Sequence, residues 1–382
     1  MGVILNYAAP MQKTFTLLFV LSSCGALTPP ARDAGVVDAG LEVDAGVDAG
    51  QSIDAGPCDG GFCRPVLITA QLVDPWDIAV DGTNVYWLEY GLATNGLDGQ
   101  VMRQAKNTVC LQRDAGCAVD LNTRGSGRFR VDTLTKAGDE LCWTENYANA
   151  RSVVCQSVIT NAERTVASNQ PAATQPIAVN GELWWVNYGT SAAAMDGQVM
   201  HKGLTASGAP LASISMRAAP NSVTVAQGNV VWAEAGTSVD AGSVLTMPMT
   251  GGTPVPIASG QRTPLSVIEC GDALYWVNYR DNAVMRGTLD AGSGVAIVTN
   301  QKSPFQIVCD GTTLYWLNAG VSTNGADGEL WQAQLDGSKA AVMVQGISLA
   351  WALTVDDAYV YYIAQGTQTR IAGEIWRIRK NR

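Results

Sequence analysis

One histidine, His201, serves all 382 residues, and that scarcity excludes more chemistry than any motif suggests. A zinc centre normally draws on several His or Cys ligands, and a Ser-His-Asp triad would have to be built on this single imidazole. Charged residues are scarce as well, at 15% of the chain against a usual share of about 25%. Lys and Arg number 24 against 34 Asp and Glu, a net charge of −10. No run of Lys or Arg suited to a phosphate backbone is present, so nucleic acid is not an expected partner. Long apolar runs are also missing, since the stretch from Phe15 to Leu21 is too short to span a bilayer. What is abundant is apolar or turn-forming. Hydrophobic residues make up 47%, enough to bury large cores, and the 40 glycines point to many tight turns between short strands.

The N-terminal region reads as an address. From Met11 to Cys24 there is one basic residue, Lys13, then the short apolar run, then small residues, which is the layout of a secretory signal with Met11 as the true start. Leu21-Ser22-Ser23-Cys24-Gly25 resembles the lipobox of bacterial lipoproteins. That resemblance implies that residues 1–23 are removed, that Cys24 is lipidated and that the protein is held to a membrane by a lipid anchor without spanning it. The alternative is an ordinary signal peptide with an incidental Cys24. Each buried CH₂ of an acyl chain contributes about 0.8 kcal/mol, so the several chains of such an anchor would make it effectively permanent. Under the sorting rule that the lipoprotein resemblance implies, Gly25 rather than Asp after the cysteine favours the outer membrane. Residues 24–65 follow as a tether in which Asp-Ala-Gly recurs at Asp33, Asp38, Asp44, Asp48 and Asp54. Its composition cannot bury enough surface to offset ordering. It carries Arg32 and Arg64 against seven acids, and a flexible chain of that length reaches roughly 35 Å.

From residue 66 onward the chain repeats itself. Aromatic pairs or near-pairs recur seven times, at Tyr86-Trp87, Cys142-Trp143, Trp184-Trp185, Val231-Trp232, Tyr275-Trp276, Tyr315-Trp316 and Tyr361-Tyr362. Their second positions lie 56, 42, 47, 44, 40 and 46 residues apart, the period of a propeller or solenoid. Each pair follows an apolar alternation and a turn signal, as in Ile78-Ala79-Val80-Asp81-Gly82 and Ile177-Ala178-Val179-Asn180-Gly181, and Asp-Gly or Asn-Gly in that position predicts a hairpin with positive φ at both turn residues. A third strand such as Val284-Met285-Arg286 and a fourth such as Val295-Ala296-Ile297-Val298 complete four strands per repeat. The last repeat stops after its third strand, whereas Val66 to Ala70 reads like a fourth strand placed ahead of the first repeat. The N-terminal strand should therefore close the last blade of an all-β, seven-bladed β-propeller spanning residues 66–382, leaving no open edge.

Leu274-Tyr275-Trp276-Val277-Asn278, with Val284-Met285-Arg286 and Leu289-Asp290 after it, resembles the YWTD-type propellers of lipoprotein receptors and their TolB-like bacterial relatives. Those receptor propellers have six blades and a Thr-Asp after the aromatic pair, and this chain has neither, so the resemblance implies the fold and not the receptors' partners. Seven-bladed lyases of the streptogramin-inactivating type are similar in fold only, because they rely on histidine.

Two residues after the aromatic anchors stand Glu89, Glu145, Asn187, Glu234, Asn278, Asn318 and Ala364. Alternation puts each on the same strand face as its anchor, where it is expected to meet the third-strand residues Arg103, His201, Thr246, Arg286, Gln332 and Arg377. Even distribution round the ring favours a belt of polar pairs between blades over a ring of binding groups. His201 occupies a position that is Arg in other repeats and reads as a solvated or inter-blade polar residue. Three long loops carry Asn95 and Asp98, Asp196, and Asn324 and Asp327. Turn chemistry explains them, and they are also the expected ligand-facing surface because loops on a rigid scaffold collect binding diversity. Each holds too few carboxylates for a good calcium site, so calcium is only an option and no metal is expected.

With Cys24 lipidated, eight cysteines remain, an even number in an exported protein. Cys142 and Cys155 straddle the turn Tyr147-Ala148-Asn149-Ala150 symmetrically and should bridge a hairpin. Cys58 with Cys63 and Cys110 with Cys117 are local loop pairs, and Cys270 with Cys309 suits a bridge between the first strands of adjacent blades. No convergent catalytic set is visible. The expected function is a membrane-anchored binding module for an unidentified protein or small extracellular or periplasmic ligand. The alternative is a hydrolase or lyase working at the channel mouth through Glu89, Glu145 or Glu234.

Overall fold

The computed structural model describes residues 58–59, 62–91, 98–111, 117–121, 128, 130–147, 150–322, 325–366 and 372–380. The expected signal segment, Cys24 and almost all of the expected tether lie outside them. Seven antiparallel four-stranded sheets form the blades of a β-propeller. Six are built from consecutive strands, beginning with Pro75–Val80, Asn84–Glu89, Gln100–Ala105 and Ala118–Asp120 in blade 1. Blade 7 takes Ala350–Val355, Tyr359–Ala364 and Gly373–Arg379 from the C-terminus and its outer strand, Val66–Leu72, from the N-terminal side. That closure pairs Val66 with Arg377 and Leu67 with Trp376. It runs two residues beyond the expected Ala70.

Recurrence of aromatic pairs has a packing cause. Adjacent residues of a strand point to opposite faces, so the first member of each pair packs toward the next blade and the second toward the preceding one. Tyr86 and Trp143 share one apolar cluster, Trp184 and Trp232 another, Tyr275 and Trp316 a third. Seven such clusters occupy the seven blade interfaces, the last joining Tyr361 of blade 7 to Trp87 of blade 1. Every Trp anchor is fully buried, and removing such a side chain typically costs about 3–5 kcal/mol.

Two further sets of contacts tie blade to blade. At the far end of the inner hairpins Asp81, Asp310 and Asp356 accept the Tyr86, Tyr315 and Tyr361 hydroxyls at 2.7, 3.1 and 3.0 Å. Lys380 of blade 7 reaches Asp310 of blade 6 at 2.8 Å, and Lys106 of blade 1 pairs with Asp356 of blade 7. Burial raises the Asp310 carboxyl, but the Lys380 ammonium and nearby amides outweigh it and bring it down to about 2. Around the channel, the third residue of an inner strand accepts a backbone N–H from the inner strand of the next blade. Asp77 takes Leu134 N at 2.7 Å, Thr133 takes Gln175 N at 3.0 Å and Ser222 takes Val267 N at 3.1 Å. Ser266 takes Ile307 N at 3.1 Å, and Gln306 takes Leu353 N at 2.9 Å.

One turn expectation is corrected. Asn180 and Gly181 both adopt positive φ, at 51° and 80°, as the hairpin argument requires. Asp81 and Gly82 do not, because the Asp81 carboxylate holds the turn itself by accepting the amides of Thr83 and Asn84, both at 2.8 Å.

Cys142 and Cys155 stand directly opposite in their hairpin and are bridged, with Cα atoms 4.0 Å apart. Cys270 is bridged to Cys309 between the inner strands of blades 5 and 6, and Cys110 to Cys117. Cys110 also pairs through its backbone with the closing strand, its N–H donating to Ile68 O at 2.8 Å. Cys63 is disulfide-bonded and stands opposite Cys58 in a two-stranded ribbon, the Cys58 side chain lying outside the described set.

Removing residues up to Leu72 should bare the Gly373–Arg379 edge. The expected outcome is loss of the cooperative thermal transition and aggregation on size exclusion, while a chain beginning at residue 58 remains monodisperse.

Candidate functional site

The inner strands converge on a cavity of about 370 Å³ at one mouth of the channel. Its wall is formed by the second and third residues of those strands, so the repeat itself supplies seven equivalent positions. Their occupants divide the ring. Phe305, Trp351 and Trp76 stand side by side on blades 6, 7 and 1; Asp132, Thr174 and Asn221 follow on blades 2, 3 and 4; Leu265 completes the circle. Loops joining second to third strands in blades 3, 4 and 5 add Tyr188, residues 235–239, and Tyr279 with Arg280.

The aromatic side is continuous. Tyr90 stacks on Trp76 with ring centres 4.7 Å apart and planes 26° from parallel, and Trp351 meets Trp76 at 4.7 Å. Phe305 extends the row, 6.2 Å from Trp351. Arg130 covers the outer face of Tyr90 at 4.9 Å and donates to its hydroxyl at 3.1 Å. Trp76 is fixed in plane by its indole N–H, which donates to Asp132 Oδ1.

Two carboxyl groups stand beside this row, both buried. Asp77 accepts the amides of Ile78 and Leu134 at 2.8 and 2.7 Å. Asp132 accepts from Trp76 and, at 3.1 Å, from Asn146 Nδ2. Burial dominates both: it pushes Asp77 up to about 7 against its amide hydrogen bonds, with the Asp132 charge adding to the rise, and pushes Asp132 up to about 7 against its own two donors. Among the described residues neither forms an ion pair. Carboxyls that titrate near neutrality in a cleft mark a candidate site.

The residues singled out from sequence sit elsewhere. Glu89, Glu145 and Glu234 do not line the cavity. They are buried between blades and accept the indole N–H of Trp87, Trp143 and Trp232 at 3.2, 3.2 and 3.3 Å. Their partners are not the expected third-strand residues, because those stand opposite the first aromatic of each pair and face the other way, as Arg103 opposite Tyr86 and His201 opposite Trp184. The partners come instead from the last residue of an outer strand or from the segment that crosses to the next blade. Arg217 holds Glu234 by two bonds at 2.9 and 2.7 Å, and Arg128 lies 3.8 Å from Glu145 and stacks over Trp143 at 4.4 Å. Where the acid is Asn, the crossing residue is Gln. Gln170, Gln261 and Gln301 each accept from both the indole and the Asn amide, as at 2.9 and 3.0 Å for Trp316 and Asn318.

His201 stacks on Trp184 at 4.5 Å, with Nδ1 3.3 Å from Glu182, and does not line the cavity. Asp196 turns into its own loop, accepting Thr190 N at 3.0 Å and its hydroxyl at 2.8 Å; Asp327 likewise accepts Val321 N at 2.9 Å. Although slight burial opposes it, these bonds hold Asp196 below the usual carboxylate range; in Asp327 the Ser322 and Val321 donors do the same. Asp98 packs against Gly91, whose φ of +86° and lack of a Cβ allow the approach. None of the three lines the cavity, and Asn95 and Asn324 lie outside the described residues. Among those residues the one cluster of metal-ligating types, Glu140 with Cys142 and Cys155, contains two disulfide-bonded cysteines and offers no thiolate.

Sequence reasoning missed the cavity residues. The available signal was the residue following each inner-strand start, as in Pro75-Trp76, Pro304-Phe305 and Ala350-Trp351, which is bulky and aromatic in three neighbouring repeats and polar in the next three.

No family model matches the chain, and no curated protein matches it. Solved structures do. A streptogramin B lyase is similar at 14% identity and a TM-score of 0.59, covering 82% of this chain and 97% of that one. A puromycin-hydrolyzing peptidase of Mycobacterium tuberculosis is similar at 12% identity and a TM-score of 0.58, over 87% of this chain and 54% of its own. The computationally designed Ika8 protein gives 12% identity and a TM-score of 0.52, over 81% and 99%. At such identities the likeness is one of fold.

Asp77→Ser should keep the acceptor that Ser222 and Ser266 supply in other blades and leave stability within about 1 kcal/mol, whereas Asp77→Ala orphans Leu134 N and should cost about 1–3 kcal/mol. Because the folded-state pKa of each acid is raised above its unfolded value near 3.8, the unfolded chain loses these protons first as pH rises. Stability should fall between about pH 4 and 7 and level off above. Thermal melts of wild type against the Asp77→Ser/Asp132→Asn double variant check this, the double variant showing the flatter profile.

Proposed function

We propose that this protein is an exported lipoprotein, anchored through Cys24 and held off the membrane by its acidic tether, whose propeller is a binding module taking its ligand at the channel mouth. The observation that carries the binding reading is the asymmetry of the cavity. A merely structural ring would repeat one residue type at equivalent positions, as the blade interfaces repeat Trp. Here three neighbouring blades present aromatic faces and the next three present polar groups, with two carboxyls at the join. A concave, largely apolar site with a few convergent polar groups is the usual form of a small-ligand pocket. The lipobox-like segment and the signal layout support the anchor, and Gly25 supports the outer membrane.

A hydrolase or lyase acting at the mouth is the second reading. It would not use Glu89, Glu145 or Glu234, which are engaged between blades, but Asp77 and Asp132, whose pKa near 7 suits proton transfer at neutral pH.

Cys24→Ser should move the protein from the membrane to the soluble fraction, and continued membrane fractionation would remove the anchor. Crosslinking on intact cells should recover a partner or ligand with wild type that is lost with Trp351→Ala, a variant that trims the cavity wall. Identical recovery from both would argue against the cavity as the binding site.

A further inference from the structure

The cavity wall has a charge imbalance that the repeat does not require. Four of the five inner-ring acceptors described above are neutral, being Thr133, Ser222, Ser266 and Gln306, so the backbone bond at Leu134 needs no acid. Asp77 nevertheless places a carboxyl there, and Asp132 places a second on the adjacent blade. Even with hydrogen-bond donors, burying a carboxylate without an opposite charge is costly unless it is protonated or meets a cation. Charged, titratable and neutral polar or aromatic groups surround the pair on the neighbouring blades. Blade 1 offers Asp74 and Tyr90, and the entry to blade 2 offers Arg130, which is turned onto the Tyr90 ring and hydroxyl. Blade 3 offers Thr174, Gln175 and Tyr188, and blade 7 offers Trp351. Arg280, the cation of the cavity wall, belongs to the blade 5 loop and is not among the groups acting on either carboxyl. Thr174 also lines the cavity, is 1% exposed, and its hydroxyl has no hydrogen-bond partner among the described residues.

Resting on the reading of the cavity as a binding site, we propose that its ligand is an organic cation, an amine or quaternary ammonium on an apolar or aromatic body. The ammonium group would lie against Asp77 and Asp132 with the faces of Trp351 and Phe305 beside it, an arrangement in which carboxylates and ring quadrupoles attract the same charge. The body would extend across the aromatic row. A cation also accounts for two acids in one buried wall, since its binding favours the ionised form of both.

The test compares phenethylamine with 2-phenylethanol, which share a frame and differ in charge, by calorimetry on the full-length protein extracted in detergent. At pH 8 the amine should bind at least about tenfold more tightly than the alcohol, and at pH 5.5, where both carboxyls are protonated, the preference should fall to about threefold or less. Asp132→Asn should reproduce the low preference at pH 8 without weakening the alcohol, and Asp77→Ser serves the same purpose should the first variant not fold. Equal binding of both probes at pH 8, weakened alike by Trp351→Ala, would discard the cationic ligand and keep the cavity as a site. Binding of neither probe would overturn both readings.

Discussion

Seven sheets that converge on one axis leave every inner strand with an edge that no further strand can pair. Buried backbone groups have to be satisfied, and this constraint shapes the centre of the molecule. In five of the seven blades the chain meets it with a side-chain acceptor at the third residue of the inner strand, which takes a backbone N–H of the next blade. Outside that ring, the Trp anchors and their polar belt fill the widening gaps between sheets, and the N-terminal strand removes the last open edge. Closure, interior packing and the shape of the mouth all follow from making one inner hairpin compatible with its neighbour.

The same constraint explains where function can reside. Positions that staple the ring tolerate any acceptor, and positions beside them tolerate any side chain that reaches into the channel. Substitutions there leave the blade interfaces untouched, so the wall can diversify while the scaffold stays fixed. Asp77 belongs to both classes at once, accepting Leu134 N–H as a staple and carrying a carboxyl that its counterparts in other blades do without. Arg128, by contrast, is charged and fully buried for a purely internal reason. It is bonded to Glu163 at 2.6 Å and Gln156 at 3.2 Å and packed on Trp143. Both residues are ionisable and buried, and only the one that fronts the cavity lacks an opposite charge among the described residues.

The fold was legible because its signals are periodic. Seven aromatic pairs or near-pairs announce seven blades, since alternate faces of one strand must each fill an interface, and a strand missing at one end and spare at the other announces closure. The belt was half legible. Glu89 and its equivalents sit on the anchor face as alternation requires, but their partners Arg217, Gln261 and Gln301 come from outer-strand ends and crossing segments whose position in space is set by the turn between blades, which alternation does not describe. The cavity was not legible, because Trp76, Asp132, Phe305 and Trp351 come together only when the ring closes, and within their own repeats each is one unremarkable residue after a strand start. Periodicity reveals what is shared between repeats, and a site of this kind consists of what is not shared.

The state of the two acids at the mouth is the central claim, and carboxyl-carbon NMR titration of the ligand-free protein, with Asp77 and Asp132 assigned by substitution, reads it directly. Desolvated as they are, the two should titrate with apparent pKa values near 7. Titration of both near 4, as for solvated carboxylates, would contradict a desolvated acidic wall and the ligand chemistry drawn from it.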